Sequence, residues 1–455
     1  MIRKTLIAAI LAVTGTGAMA AVTPEEAAQL GKALTPVGAE KAGNKDGTIP
    51  EWTGGLTTPP AGYKPGATTH PDPFAADKPR LVITGQNADQ FKDQLTAVTY
   101  ALLKRHPTMR LDVYPTRRPV YFPKQLVDNT LKNATQAKTV EGGVGLDNAL
   151  PGIPFPVPKT GSEVMWNHLL RYNGIATTCK YDAYNTDASG VTTLASTGIN
   201  YQEYPVYRPE NANKPMQGTD QYLNLKVEFT GPARRAGEAL LILDHVNALK
   251  QPRKAWQYLP GQRRVKLAPE LAYDTPTAGT SGAGTYDDAF VFNGALDRYD
   301  WKLVGKREMI IPYNEYKMVF APGKREDVAK KNHINPDLDR WELHRVWVVE
   351  ATLKPGKRHI YQKRTFYIDE DSWAAIAADS YDARGQLYKG VFAPTAFAYG
   401  AQAMNNTTTY VVYDLVAGLY AVGGHCGLYG GTKFLDQGFP ARDWLPDSLA
   451  GAGIR

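Results

Sequence analysis

Cysteine is almost missing from this chain, with only Cys179 and Cys426 in 455 residues and no Cys-x-x-Cys pair. That scarcity excludes a disulfide-dense scaffold and a cysteine-rich zinc module. The eight histidines are scattered singly and none forms an HExxH pair, so neither a metal centre nor any other cofactor is expected. No GxSxG elbow occurs, which argues against a serine hydrolase of the common α/β kind. The glycine-rich GTSGAG stretch, Gly279 to Gly284, lacks the Lys-Ser/Thr of a phosphate cradle and reads as a flexible loop. Beyond the N-terminus no apolar run approaches the ~18 residues needed to cross a bilayer. The formal charge is +7, but both signs are interspersed without a basic block, so no nucleic-acid partner is expected.

What is present begins with an address. Met1 to Lys4 is basic, Leu6 to Val13 is apolar, and Ala18-Met19-Ala20 gives a small-x-small cleavage pattern. Residues 1–20 are therefore predicted to be a cleaved signal peptide and the mature chain to be a periplasmic protein. No cysteine stands beside the cleavage site, so a lipid anchor is not expected. In an oxidising compartment Cys179 and Cys426 can pair; two buried free thiols are the other reading, and both stay open. Residues 21–80 read as an N-terminal helix from Thr23 to about Lys32 and an extended Gly/Pro-rich arm anchored by Trp52. Residues 81–455 read as one domain.

With 43% hydrophobic and 10% aromatic residues the chain can build a large core. Its most legible element is a hairpin, Arg345 to Leu353 and Arg358 to Asp369 around Lys354-Pro355-Gly356-Lys357. Further strands are predicted at Lys226 to Thr230, Glu238 to Asn247, Lys254 to Leu259, Val265 to Leu267 and Asp300 to Pro312. Trp373 to Asp379, Gln386 to Phe392 and Thr407 to Gly418 complete roughly ten strands. Apolar spacing predicts a main helix over Asn87 to Arg105 and a second over Glu163 to Tyr172. Leu111 to Phe122 is broken by prolines and reads as an edge strand. GIPFPVP, Gly152 to Pro158, is extended chain that needs an apolar surface to lie on. Strands without regular crossover helices predict a mainly β fold, one large curved antiparallel sheet covered by helices.

Paired carboxylates offer the nearest approach to catalytic chemistry. Asp287-Asp288 and Asp369-Glu370-Asp371 could serve as acid and base, though acids at strand ends more often pair with nearby Arg or Lys. Aromatic side chains on strands are core material, and on a sheet curved around a helix some would line an apolar cavity. By size and strand position the candidate lining residues are Trp256, Tyr258, Trp301, Trp347, Phe366 and Phe155.

Five long stretches resemble a known family. They are LTPVGAEKAGNKDGTIPEWTGG (Leu34 to Gly55), PFPVPKTGSEVMWNHLLRY (Pro154 to Tyr172), RKAWQYLPGQRRVKLAPELAYDTP (Arg253 to Pro276), FNGALDRYDWKLVGKREMIIPYN (Phe292 to Asn314) and the hairpin. In this order they are similar to an exported proteobacterial family of unknown function described as outer membrane lipoprotein-sorting-like. Trp256 to Val265 is the part most similar to the wider superfamily of the LolA and LolB lipoprotein carriers. The resemblance implies an unclosed β-barrel with helices over its opening and a cavity for acyl chains. It also implies partners, an RND-type permease of the MMPL kind and an outer-membrane barrel protein. The chain is more than twice the size of a minimal carrier of that kind.

The leading expectation is a non-enzymatic periplasmic carrier or adaptor for a lipid or lipid-like molecule. The alternatives are a docking scaffold without cargo, which would have a solid interior, and an enzyme using the paired acids on an apolar substrate.

Overall fold

The computed structural model describes residues 22–405 and 408–453. The predicted signal peptide lies outside them. β-branched and aromatic residues in alternation build one sheet of sixteen strands, where about ten were expected. In chain order the first eight are β1 (Leu81–Thr84), β2 (Arg110–Tyr114), β3 (Ala176–Thr186), β4 (Thr192–Glu203), β5 (Gln221–Gly231), β6 (Ala239–His245), β7 (Lys254–Leu259) and β8 (Arg264–Leu267). The rest are β9 (Tyr299–Pro312), β10 (Trp341–Leu353), β11 (Lys363–Asp369), β12 (Ala375–Tyr381), β13 (Leu387–Phe392), β14 (Tyr410–Asp414), β15 (Leu419–His425) and β16 (Lys433–Leu435).

Their order is β1-β2-β10-β11-β12-β13-β14-β15-β3-β4-β5-β6-β7-β8, with β9 also on β10 and β16 on β3. Every pairing is antiparallel except β2 with β10. Among the described residues β1 and β8 do not pair with each other, so the sheet is large, mixed and unclosed. Register slips at Leu303/Gly305, Tyr367/Ile368 and Val422/His425 are bulges, which bend and twist the strands that carry them. Two halves are thereby joined: an unbroken meander, β3 to β8, and a second set, β9 to β15. They meet where β15 pairs with β3. There Cys179 of β3 is bonded to Cys426, their Cα atoms 5.9 Å apart and 247 residues apart in sequence.

Few helices cover the sheet: α1 (Pro24–Ala27), α2 (Ala97–Arg105), α3 (Lys124–Gln136) and α4 (Gly161–Leu169) are the main ones. The helix predicted over Asn87 to Arg105 is two pieces, a 3-10 segment at Ala88–Gln94 and α2. Thr96 breaks it, because its extended backbone lets its hydroxyl accept the Thr99 N–H as an N-cap. Asp379 of β12 accepts the Ala97 and Val98 N–H groups at 2.8 and 3.0 Å. α2 then lies so close to β13 that a Cβ on Gly390 would stand 2.4 Å from Val98. α4 is buried along its whole length between the sheet and the proline-rich run, with its His168 ring accepting the Ala375 N–H of β12.

Other boundaries also moved. The predicted strand from Thr407 to Gly418 is half of a β14–β15 hairpin, because Asp414 caps the turn through the Val416 and Ala417 N–H groups. The central hairpin turns over residues 354–362, not four residues, and uses the extra length to send His359 and Tyr361 toward Asp287 and Asp288. The N-terminal arm is tied down by Trp52, whose indole donates to the Val120 carbonyl at 2.9 Å.

Candidate functional site

Strand alternation decides which side chains of the β3–β8 meander meet. On β5, Leu225, Val227 and Phe229 share one face; on β6, Leu240 and Ile242 do. Register places Leu225 opposite Ile242 and Val227 opposite Leu240, and Gln202 and Asn200 of β4 opposite Leu225 and Val227. These rows form the floor of a pocket of about 730 Å³, part of it open to solvent. Leu225, Val227, Phe229 and Leu240 each keep 8% of their surface exposed, whereas Ala239 and Leu241, pointing the other way from β6, keep none. This pocket lies on the face of the meander that carries Leu225, Val227 and Leu240.

β14 and β15 supply a side wall through Tyr410, Gly423 and Gly424. Gly423 is required there, since a Cβ would fall 2.5 Å from the Tyr410 ring. The roof is the connection between β8 and β9, where Thr277, Gly279, Thr280, Tyr286, Ala289 and Phe290 face the floor. It is fastened to the rim through its carbonyls: Asn185 Nδ2 donates to Thr280 O at 2.8 Å, Ser196 Oγ to Gly279 O at 3.0 Å and Lys389 Nζ to Ala283 O at 2.7 Å. Burial pushes the Tyr286 hydroxyl up to about 12 and raises those of Tyr181 and Tyr410 further, so all three stay neutral hydrogen-bond donors. The pocket thus offers an aliphatic floor, a few neutral polar groups and no charged wall. A hollow of similar size, about 700 Å³, is by contrast lined by Asp72, Asp77, Lys78 and Arg340.

The paired acids are anchors of that roof. Arg364, fully buried on β11, donates to Asp287 and Asp288 at 3.0 Å each. His359 Nε2 meets Asp287 at 3.0 Å and Tyr361 donates to Asp288 at 2.9 Å. Thr285 donates its hydroxyl to Asp287 and its N–H to Asp288. All four carboxylate oxygens are committed. Burial alone would raise the Asp287 carboxyl, but Arg364 and His359 hold it below the usual carboxylate range.

The six aromatic candidates are placed elsewhere. Trp256 and Tyr258 stand on the opposite face of the meander, packed with Leu241, Leu243, Trp444 and Leu449. Trp301 and Phe366 form an aromatic triangle with Phe292, with ring centroids 5.2–5.7 Å apart, inside the main core. Trp347 stacks on Trp373 at 6.1 Å under the Lys306 ammonium. Phe155 sits in the core with its backbone clasped by the Asn167 amide. None of the six lines the pocket floored by β5 and β6. The residues that do, in Leu223-Asn224-Leu225-Lys226-Val227-Glu228-Phe229, carry an alternation visible in the sequence. That signal marks a half-buried strand but does not tell a packed face from a hollow one.

Residues 82–450 match the family described as "Protein of unknown function (DUF1329)", and the chain belongs to that family. Over 450 residues it is 42% identical to an uncharacterized protein of Pseudomonas aeruginosa, covering 98% of this chain and 97% of that one. Among solved structures it is similar to a putative outer membrane lipoprotein-sorting protein domain from Vibrio parahaemolyticus, with TM-score 0.43 and 15% identity over 63% of this chain and 97% of that one. A DUF1329 family protein from Desulfovibrio piger matches with TM-score 0.40 and 16% identity over 61% and 92% of the two chains. A LolA superfamily protein from Nitrosomonas europaea matches with TM-score 0.37 and 15% identity over 64% and 99%.

Proposed function

We propose that this protein is a periplasmic carrier or adaptor that shelters a hydrophobic, lipid-like ligand between the β3–β6 floor and the β8–β9 roof. The observation behind this reading is a void lined by Leu225, Val227, Phe229, Leu240 and Ile242. Burying an alkyl chain there yields about 0.8 kcal/mol per methylene, enough for carriage, and needs no covalent step. The neutral tyrosine hydroxyls and the Asn200 and Gln202 amides would orient a polar end. Handover to or from an RND-type permease and an outer-membrane barrel protein is the biological setting proposed for it.

The test is native mass spectrometry with lipid extraction on mature protein purified gently from the periplasm. A copurifying apolar molecule near one-to-one, lost in Val227→Phe while the fold persists, is the expected result. Repeated preparations without cargo, together with no uptake of fluorescent acyl probes, would favour a docking scaffold.

A further inference from the structure

A second place combines donors that no sequence spacing brings together. His344 and Glu342 project from the same face of β10, and Asp369 ends β11 opposite Val346. Asp371 lies in the tight turn from β11 into β12. One ring nitrogen of His344 and one oxygen from each of Asp369 and Asp371 lie within 4.8 Å of one another, and all three residues are buried.

The surrounding bonds leave a defined vacancy in donor terms. Asp369 Oδ2 accepts from the Tyr313 hydroxyl and the Ser372 N–H at 2.9 Å each, and from Ser372 Oγ at 2.5 Å. Asp369 Oδ1, on a residue with no exposed surface, has no partner. Arg118, Lys306 and Arg345 are paired with Glu40, Glu370 and Asp371. Asp369 has no Lys or Arg within salt-bridge distance among the described residues. An unpaired carboxyl oxygen in the core is costly.

The imidazole is already oriented. Glu342 Oε1 accepts from Arg340 and Asn314, and Oε2 accepts the Arg117 N–H at 2.8 Å while facing His344 Nε2 at 3.0 Å. A carboxylate so engaged can only accept, so Nε2 carries the hydrogen and Nδ1 the lone pair. Tyr313 stacks on the ring at 3.9 Å and fixes its plane. A carboxylate behind a histidine is the outer-shell arrangement that raises a ligand's basicity. Asp371 accepts one bond from Arg118 at each oxygen, at 2.8 and 2.7 Å, and keeps further lone pairs. A hollow of about 450 Å³, part of it open to solvent, lies beside Trp52, Tyr121 and Phe122 and is lined in part by Asp371.

We infer that His344 Nδ1, Asp369 Oδ1 and Asp371 form a binding site for a divalent transition-metal ion of the zinc class, completed by water. One nitrogen and two oxygens with a fourth water is a donor set zinc accepts, with bonds of about 2.0–2.2 Å. The ion supplies Asp369 Oδ1 with a partner. It joins β10 to the β11–β12 turn, and through Arg118, which also binds the Glu40 carbonyl, to the N-terminal arm. This site is independent of the pocket and of any cargo.

The experiment is elemental analysis of the mature protein purified without chelator or metal affinity resin, then zinc titration and thermal melts of chelator-treated protein. Expected are about one zinc bound per chain and a melting temperature raised by added zinc, both lost in Asp369→Asn and His344→Gln. Asp369→Asn keeps the shape of the side chain while removing a carboxylate ligand, so it separates loss of metal from loss of fold. No retained metal and no zinc response would overturn the site; so would zinc binding unchanged in both variants. If neither variant folds, anomalous scattering from a zinc-soaked wild-type crystal decides, by a peak among these three side chains or only elsewhere.

Discussion

The two halves of the sheet are made alike and filled differently. In the β9–β15 half, β12 carries the small residues Ala375, Ala377 and Ala378 beside Ile376, all with no exposed surface. In the β3–β8 half, β5 and β6 carry Leu, Val, Phe and Ile, and these larger side chains border a void. Side-chain size on the strand is therefore not what closes a core; what faces the strand is. β12 and β13 meet α2 and α4, which come close enough for His168 to bond the β12 backbone and Val98 to touch Gly390. Over the pocket floored by β5 and β6 the roof combines Thr277 to Gly284, whose side chains are short, with Tyr286 and Phe290, and space remains between roof and floor. A roof rich in small residues over an aliphatic floor leaves a hollow, while a helix over β12 does not.

The strongest test of this division is at its seam. The Cys179–Cys426 bond closes a loop of 247 residues across the junction of β3 and β15. On loop-closure entropy such a link stabilises by about 5 kcal/mol. Cys179→Ser with Cys426→Ser, or reduction of the wild type, is expected to lower the unfolding free energy read from urea melts by most of that amount. Two separate transitions would mean that the halves fold as distinct units and that the bond is what couples them. A single unshifted transition would break the picture of a seam held by the disulfide.

Much of the sheet was legible because its strands repeat every second residue; β7, Lys254–Leu259, was read to the residue. β3 and β4 were not marked out, because Thr, Asn, Lys and Tyr occupy positions that alternation needs as apolar. α3 escaped for a related reason. Asn129 and Asn133 lie on its buried face, so its stripe reads as polar. They are there because prolines 151, 154 and 156 leave extended chain whose carbonyls need donors: the two amides reach Pro151, Leu150 and Ile153 at 2.8–3.2 Å. The pocket could not be seen in the sequence, since strand alternation and aromatic size do not tell a packed face from a hollow one. Asp369 and Asp371 stood out as paired acids, but His344 joins them only through the register of β10 and β11.

The seam also carries a pH sensitivity of intermediate size. His425 ends β15, accepts the Tyr184 hydroxyl at Nδ1 and faces the Met318 carbonyl with Nε2 at 3.1 Å. Burial pushes its imidazole down to about 4, against the partial opposition of that carbonyl and Asp182. A depressed folded value means that the unfolded chain takes up the proton first. Stability should therefore fall as pH drops from about 6.5 toward 4 and level off below, for a total of about 3 kcal/mol. Urea midpoints measured across that window should flatten in His425→Gln. If they flatten no more than in a variant of the half-buried His106, the seam is wet and the burial argument for His425 fails.

The finest discrimination compares one added side chain in each half. Ala377→Leu inserts volume into the filled side, where neighbouring side chains have no room to yield, and should cost about 1–3 kcal/mol. Val227→Phe inserts volume into the hollow, where the added ring meets space beneath the Thr277–Gly284 roof, and should cost less than about 1 kcal/mol. The two urea midpoints taken side by side read the void itself, independently of any ligand. Equal losses would mean that the roof collapses onto β5 and β6 in solution and that no cavity is available for cargo. A loss confined to Ala377→Leu, with Val227→Phe excluding acyl probes from an otherwise stable protein, would assign binding to the β3–β8 half.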